Sequence, residues 1–467
     1  MRRIFVVVLC LAVFAFFPGA RQRAVSHPSS LKLDLDRSFA ITDQAMLTGF
    51  SFQRVMEAIV ARSGTRTTAL QLYQQMFDTQ NARPGLVAPD APHCDDFTVD
   101  GKAVFNGLPR RCPTPEGVLA TSDPFAATDY IPIGVLNRFD LAPGDGSNCG
   151  QYRITFANVT NPANRVHLIF EAILPNPDQA SGLAGCRPVA QFWAGLSTID
   201  SIDERRSAIE TFFFDGIPGF ASVLDPAHYA AGSGGGIRSV HQTSSAGIPE
   251  RFYQFRLATA CAAGGDCSLI AKPDGLENLP IARFFDANYD TAAARAFREE
   301  FIRQVPTLAV RDVNLYFMNV SPEFLMAESV PSDDSLDFDF ISAFVKSAGT
   351  PAGKEFQAQI AAELAKLDSP LTPEQIVLRA DTQSCVGCHV LSGDVGDGVT
   401  FPQALGTAEH LSENITEDGE AGLRFTISPA MRNVFIPHRM EVLRDFLLRG
   451  TPPEHSNITV GGGRSVQ

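Results

Sequence analysis

The chain has 467 residues, 45% of them hydrophobic and 19% charged, and a formal charge of −14. That sign argues against nucleic acid or an anionic membrane as a partner, since both need a basic footprint; an acidic surface reads first as solubility. A chain this long exceeds one ordinary core, so two or three packed units are expected.

Taken in chain order, Arg2 and Arg3 precede the apolar run of residues 4–17, and "PGA" follows. Basic, apolar and small-residue regions in that order are those of a secretory leader. The run falls short of the roughly 20 residues a membrane helix needs, so residues 1–20 are expected to be a signal peptide cleaved near Ala20. Cys10 lacks the small residue before it that a lipid-anchor signal carries. Losing Arg2 and Arg3 takes the formal charge from −14 to −16. No later stretch is long and apolar enough to span a bilayer, and the expected address is periplasmic or secreted.

Residues 21–93 read as helical. Phe52, Val55, Met56, Ile59 and Val60 share one helical face, and Gly64 ends that helix. A second helix over "TALQLYQQMFDTQ" turns Leu72, Tyr73, Met76 and Phe77 inward. From 94 to 330 the texture becomes β-rich, with strand-like runs "YIPIGVLNRF", "YRITFANV", "RVHLIFEAIL", "RFYQFRLATA" and "VNLYFMNV" between turn clusters. Helices are expected at "VAQFWAGLSTI", "DERRSAIETFFFDG" and "TAAARAFREEFIRQV". This is an α+β body without a fixed internal repeat. Its six cysteines, an even number in an exported chain, suggest three disulfides; nearest neighbours along the chain are favoured, Cys94–Cys112, Cys149–Cys186 and Cys261–Cys267. "GSGGGIRS", residues 232–239, lacks the lysine of a phosphate loop and reads as a flexible loop. His167 reads as a satisfied sheet histidine, and His228 and His241 flank the glycine-rich loop.

Residues 331–350, opening with "PSDDSLDFDF", read as an acidic linker. Beyond it, 351–467 reads as helical. Phe356, Ile360 and Leu364 have helical spacing. Thr372, Pro373 and Gln375 open a further helix with a capping box, and that helix runs directly into "CVGCHV". A last helix starts at Pro437, aligns Leu443, Phe446 and Leu447, and stops at Gly450.

With 9 Cys and 9 His in the chain, random placement predicts roughly 0.003 occurrences of Cys-x-x-Cys-His. The spacing is the attachment signal for one covalent haem c. On that reading Cys385 and Cys388 carry the thioether bonds and His389 is the proximal iron ligand. Two other readings stay open: a Cys385–Cys388 disulfide, and a metal site recruiting His410 and His438. A thioredoxin-like site is disfavoured, because here a helix precedes the motif and "LSGDVGDG" follows it. The acids of "PSDDSLDFDF" and "SGDVGDG" match no EF-hand register. Hydrolase and nucleotide motifs are absent: the chain has no G-x-S-x-G, H-E-x-x-H or Walker loop.

Helix, CxxCH, glycine-rich loop and closing helix between Leu371 and Gly450 resemble a class I cytochrome c domain. The resemblance covers about the last hundred residues and implies a small all-α C-terminal domain in which the motif helix packs across the last one. It also implies a second axial ligand from the loop. Met431, two residues after Pro429 in "SPAMRN", and His410 in "GTAEHLSEN" are the candidates, with His438 and Met440 on or beside the closing helix. "NRFDLAPGDGSNCGQYRITFA", "HLIFEAILPNP" and "GCRPVAQFWAGL" resemble a group of uncharacterised exported bacterial proteins that also end in a late CxxCH, which implies export and no activity. The expected function is one-electron transfer to an unknown redox partner protein. The alternatives are a haem-dependent oxidase- or peroxidase-like enzyme, and an exported binding protein stapled by Cys385–Cys388.

Overall fold

Strands in this chain alternate apolar and polar residues, and the alternation decides what each face of the sheet meets. The structure is a computed structural model that describes residues 31–125, 129–160, 164–243, 251–329, 338–384, 387, 393–401 and 411–450. Eight strands build one antiparallel sheet: β1 (Ala40–Ile41), β2 (Tyr130–Arg138), β3 (Asn148–Asn158), β4 (Asn164–Pro175), β5 (Gly236–Thr243), β6 (Arg251–Cys261), β7 (Cys267–Asp274) and β8 (Glu328–Ser329). They lie in sequence order from β1 to β7, and β8 pairs with β6 beyond the end of β7.

Register sorts the side chains. Tyr152, Ile154 and Phe156 of β3 share a face with Leu168 and Phe170 of β4, while Arg153 stands opposite Glu171 on the other face. The apolar face is roofed by α1 (Phe52–Arg62), α2 (Ala69–Asp78), α3 (Arg187–Leu196) and α4 (Ile202–Phe214). The ring of Phe52 lies 4.7 Å from Tyr130 and 5.2 Å from Phe156. Trp193 stacks on Tyr152 at 5.6 Å. Both first helices start and stop as their sequences dictate: Ser51 caps α1, Thr68 and Gln71 form a capping box on α2, and Gly64 takes φ +64° after α1. The three disulfides join Cys94 to Cys112, Cys149 to Cys186 and Cys261 to Cys267, as neighbour pairing predicts.

A second core is built largely from phenylalanine. α5 (Ala292–Leu308), α6 (Phe340–Ser347), α7 (Pro351–Lys366) and α8 (Pro373–Asp381) enclose Phe285, Phe297, Phe301, Phe340 and Phe356. The same cluster receives Ile169, Val240 and Phe252 from the polar face of the sheet. Beyond it come a hairpin of β9 (Leu411–Gly419) and β10 (Gly422–Ile427), and then α9 (Ile436–Arg449), closed by Gly450 at φ +72°.

Four expectations need correction. The second half of the expected 331–350 linker is α6, capped by Asp339 and anchored by buried Phe340 and Phe344; residues 330–337 lie outside the described residues. The stretch 351–467 is not all-α, because β9 and β10 pair with each other and the hairpin is tied to the N-terminal part, Phe425 donating to the Thr42 carbonyl at 3.1 Å. "VNLYFMNV" is no sheet strand: Tyr316 and Met318 are buried without ladder pairing, and Phe317 bonds back to Thr307 of α5. The glycine-rich loop opens β5 at Gly236, and at Gly235 a Cβ would fall 1.9 Å from the His228 carbonyl oxygen, so close backbone approach requires glycine there.

Candidate functional site

Cys385, Cys388, His389 and His410 lie outside the described residues, and the flanks of the motif, α8 and residues 393–401, lie within them. Thr372 and Gln375 close the capping box of α8 with bonds of 3.2 and 3.0 Å. The helix ends at Asp381, and Ser384 donates to the Asp381 carbonyl at 2.8 Å. Gly387, between the two cysteines, donates its N–H to Ser384 Oγ at 2.9 Å, and a Cβ there would fall 1.9 Å from the Asp381 carbonyl oxygen. The centre of the motif therefore folds back on the end of α8, a path open to glycine alone. Asp381 is fully enclosed; burial and the charge of Asp339 push its carboxyl well above the usual range.

Arg379 ties the two ends of the motif segment together. Its buried guanidinium donates to the carbonyls of Val395 at 2.6 Å and Leu308 at 2.9 Å, and pairs with Asp397 at 2.8 Å. It also lies over the ring of Tyr316, 4.6 Å from the centroid. Asp397 of "SGDVGDG" is thus spent on an arginine, and among the described residues no group of three or more His, Cys, Asp or Glu is arranged to hold a metal ion. Tyr316, Val395 and Phe401 form a small apolar cluster joined by Leu378 of α8 and by Phe435.

Phe435 belongs to the same π-helical turn as Met431, a geometry that recurs at functional sites. Met431 is buried, and its Sδ lies 3.9 Å from Nη2 of Arg439. The motif helix and the Met431 segment therefore share one apolar cluster, through Leu378 and Phe435. The helix crossing implied by the cytochrome resemblance is not what the described residues display. α8 packs with α5, α6 and α7, whereas α9 packs with α3 and the turn of Phe139–Leu141, Phe446 meeting Phe139 at 4.9 Å. His438 and Met440 are half-buried on α9.

The polar face of the sheet carries the densest charge. Arg153 pairs with Glu171 at 3.0 Å, and Arg238 pairs with Glu171 at 2.9 Å and Glu277 at 3.6 Å. Arg256 pairs with Asp274 at 2.6 Å and Glu277 at 2.9 Å. At the β2 end, Arg138 grips Asp140 at 2.9 Å, and Arg439 approaches the same carboxylate at 3.8 Å. Burial pushes Arg153 down to about 10 against the pull of Glu171. This belt is bracketed by the flanks of the motif. The helical core containing α8 covers Ile169, and β9 brings Glu413 onto Arg165 and His167, the His167 ring bonding it at 3.0 Å. Burial alone would raise Glu413; His167 and Arg165 bring it down to about 2.

The two histidines flanking the glycine-rich loop are satisfied separately. His228 faces the Val223 carbonyl at 3.3 Å, and burial lowers its pKa. His241 donates to Glu116 at 2.9 Å, within a buried group in which Arg251 and the Tyr253 hydroxyl each lie 3.3 Å from that carboxylate. Sequence reading missed Arg379, Arg439 and Glu413, lone polar residues whose partners lie far along the chain. The one signal for Arg379 is its place in a capped helix directly before the motif. Comparison of the chain with protein-family models, with curated proteins and with solved structures gave no match.

Proposed function

We propose that this is an exported single-haem c-type protein that moves one electron at a time, with haem bound at Cys385 and Cys388 and His389 as proximal ligand. The observation that carries this reading is the cysteine accounting. Six cysteines are consumed in three disulfides of the body. Cys10 lies in the leader, which leaves the two motif cysteines for each other or for a cofactor, with a histidine adjacent. The described surroundings suit such a group: an apolar cluster at Leu378 and Phe435, a buried thioether at Met431, and guanidinium groups able to meet carboxylates. When bound, the haem supplies a reversible one-electron couple.

The chain's own residues do the positioning. Gly387 and Ser384 set the motif against the end of α8, and Arg379 fastens the loop that follows. Met431 and His410 are the distal candidates; thioether ligation raises the potential relative to a second imidazole. Met431 at present faces Arg439, so its use as a ligand requires its Sδ to leave that contact.

The test is the visible spectrum and intact mass of protein exported from cells with c-haem maturation machinery. A covalent haem adduct with sharp reduced bands, lost in Cys385→Ala, is the expected result. A colourless protein with Cys385 and Cys388 joined to each other would overturn it and make the motif a staple.

A further inference from the structure

Arg439 is 8% exposed, and its polar partners among the described residues are Asp140 at 3.8 Å and the Met431 thioether at 3.9 Å. A guanidinium offers five N–H donors and stays protonated, so burying one with such poor partners costs stability. Asp140 is already engaged by Arg138 through three contacts of 2.9, 3.0 and 3.1 Å. Arg153 completes the group on the same face: Arg138 stands opposite Gln151 in the ladder, and Arg153 bonds the Gln151 amide oxygen at 2.5 Å. Leu136, opposite Arg153 in the ladder, and Met431 supply apolar neighbours. With the neighbours that share these carboxylates, five guanidiniums (Arg138, Arg153, Arg238, Arg256 and Arg439) face four carboxylates (Asp140, Glu171, Asp274 and Glu277) among the described residues.

We propose that Arg138, Arg153 and Arg439 form a binding site for a carboxylate carried on an apolar body. The guanidinium fork matches a carboxylate in two parallel bonds, and one added negative charge balances the local surplus. Arg138 and Arg439 both reach the Asp140 carboxylate and Arg153 adjoins Arg138 through Gln151, so the three charges share one neighbourhood and an anion placed among them relieves their repulsion. The carboxylate has two sources: a propionate of the haem, which rests on the function proposed above, or a free organic acid.

Succinate titration by calorimetry, on full-length protein matured with and without haem, tests the site and separates the sources. Haem-free protein is expected to bind succinate, with affinity falling at least tenfold in Arg439→Gln and by less in Arg439→Lys, which keeps the charge but loses the fork. If haem-loaded protein then fails to bind, the propionate is the occupant, and Arg439→Gln lowers the reduction potential. If haem-loaded protein binds equally well, the ligand is a free acid. Absence of succinate binding by the folded haem-free protein, or equal binding by Arg439→Gln, overturns the proposal. A chain that never acquires haem would sink the electron-transfer reading while leaving this titration valid. Thermal melts add a control: a purely structural partner of Asp140 loses stability in Arg439→Gln, whereas a ligand-binding arginine leaves the unliganded protein as stable or more so.

Discussion

Glu116 shows how one side chain holds a distant segment to the sheet. It sits in the 3-10 turn of Pro115–Thr121 and is 2% exposed, yet its carboxylate gathers His241, Arg251 and Tyr253 from β5 and β6. Burial by itself would raise its pKa; the bond from His241 leads the contributions that bring it down from 4.5 to about 2. A carboxylate depressed in the folded state stabilises the fold above its unfolded pKa, and that stability is lost as pH falls through the folded value. The native chain should therefore lose stability between about pH 5 and pH 2 through this residue, by an amount on the order of 3 kcal/mol. Glu413, also at about 2, adds a second contribution in the same window. Urea midpoints measured across that range should give a flatter profile for Glu116→Gln, with the two proteins converging towards pH 2. Parallel profiles would mean that Glu116 titrates alike in folded and unfolded chains.

At the scale of elements, α8 is legible in the sequence because its signals are local. Thr372, Pro373 and Gln375 specify the cap, and Ile376, Val377 and Ala380 supply the buried stripe. Thr372→Ala removes the acceptor for the Gln375 N–H and should cost about 1 kcal/mol in a urea unfolding curve, with Thr372→Ser restoring most of it. Strands β2, β3, β4 and β6 were readable for the same reason, since their period-two alternation needs no partner to be seen. The β9–β10 hairpin was not. "LSENITEDGEAGLRFTI" is largely polar, and it is held by remote groups: Arg165 and His167 on Glu413, and Thr42 on Phe425. β5 was hidden behind its glycines, which mark backbone packed tightly against His228 rather than a free spacer. The site divides in the same way. CxxCH and Met431 stand out by residue type and spacing, but Arg379 and Arg439 acquire meaning only when the fold brings carbonyls, Asp140 and Met431 to them.

Over the whole molecule, the sheet separates two kinds of contact. Its apolar face is closed by α1 to α4, and its charged face receives the helical core, β9 and the Arg439 region. The face meeting the C-terminal elements thus combines paired charges with the apolar contacts of Ile169, Val240 and Phe252, and the covalent links of the body add to both. Those links should differ in strength by the chain they enclose. Cys149–Cys186 spans 37 residues and ties β3 to the start of α3, with both cysteines fully buried. Cys261–Cys267 spans 6 residues and staples the exposed turn between β6 and β7. Loop-closure entropy assigns about 4 kcal/mol to the first and about 2 kcal/mol to the second. The double substitutions Cys149→Ala/Cys186→Ala and Cys261→Ala/Cys267→Ala should therefore lower stability in that order, as read by urea unfolding of non-reduced protein. The larger loss should carry a second mark. Cys149–Cys186 braces α3, whose Arg187 donates to the Leu447 carbonyl of α9 at 3.0 Å, so its removal should also speed hydrogen exchange in α9. The Cys261–Cys267 turn is tied to Arg66 through Asp266 and the Cys267 carbonyl, so its loss should leave α9 exchange unchanged. Equal exchange in both variants would mean that α9 keeps its contacts with α3 and Phe139 without the Cys149–Cys186 brace.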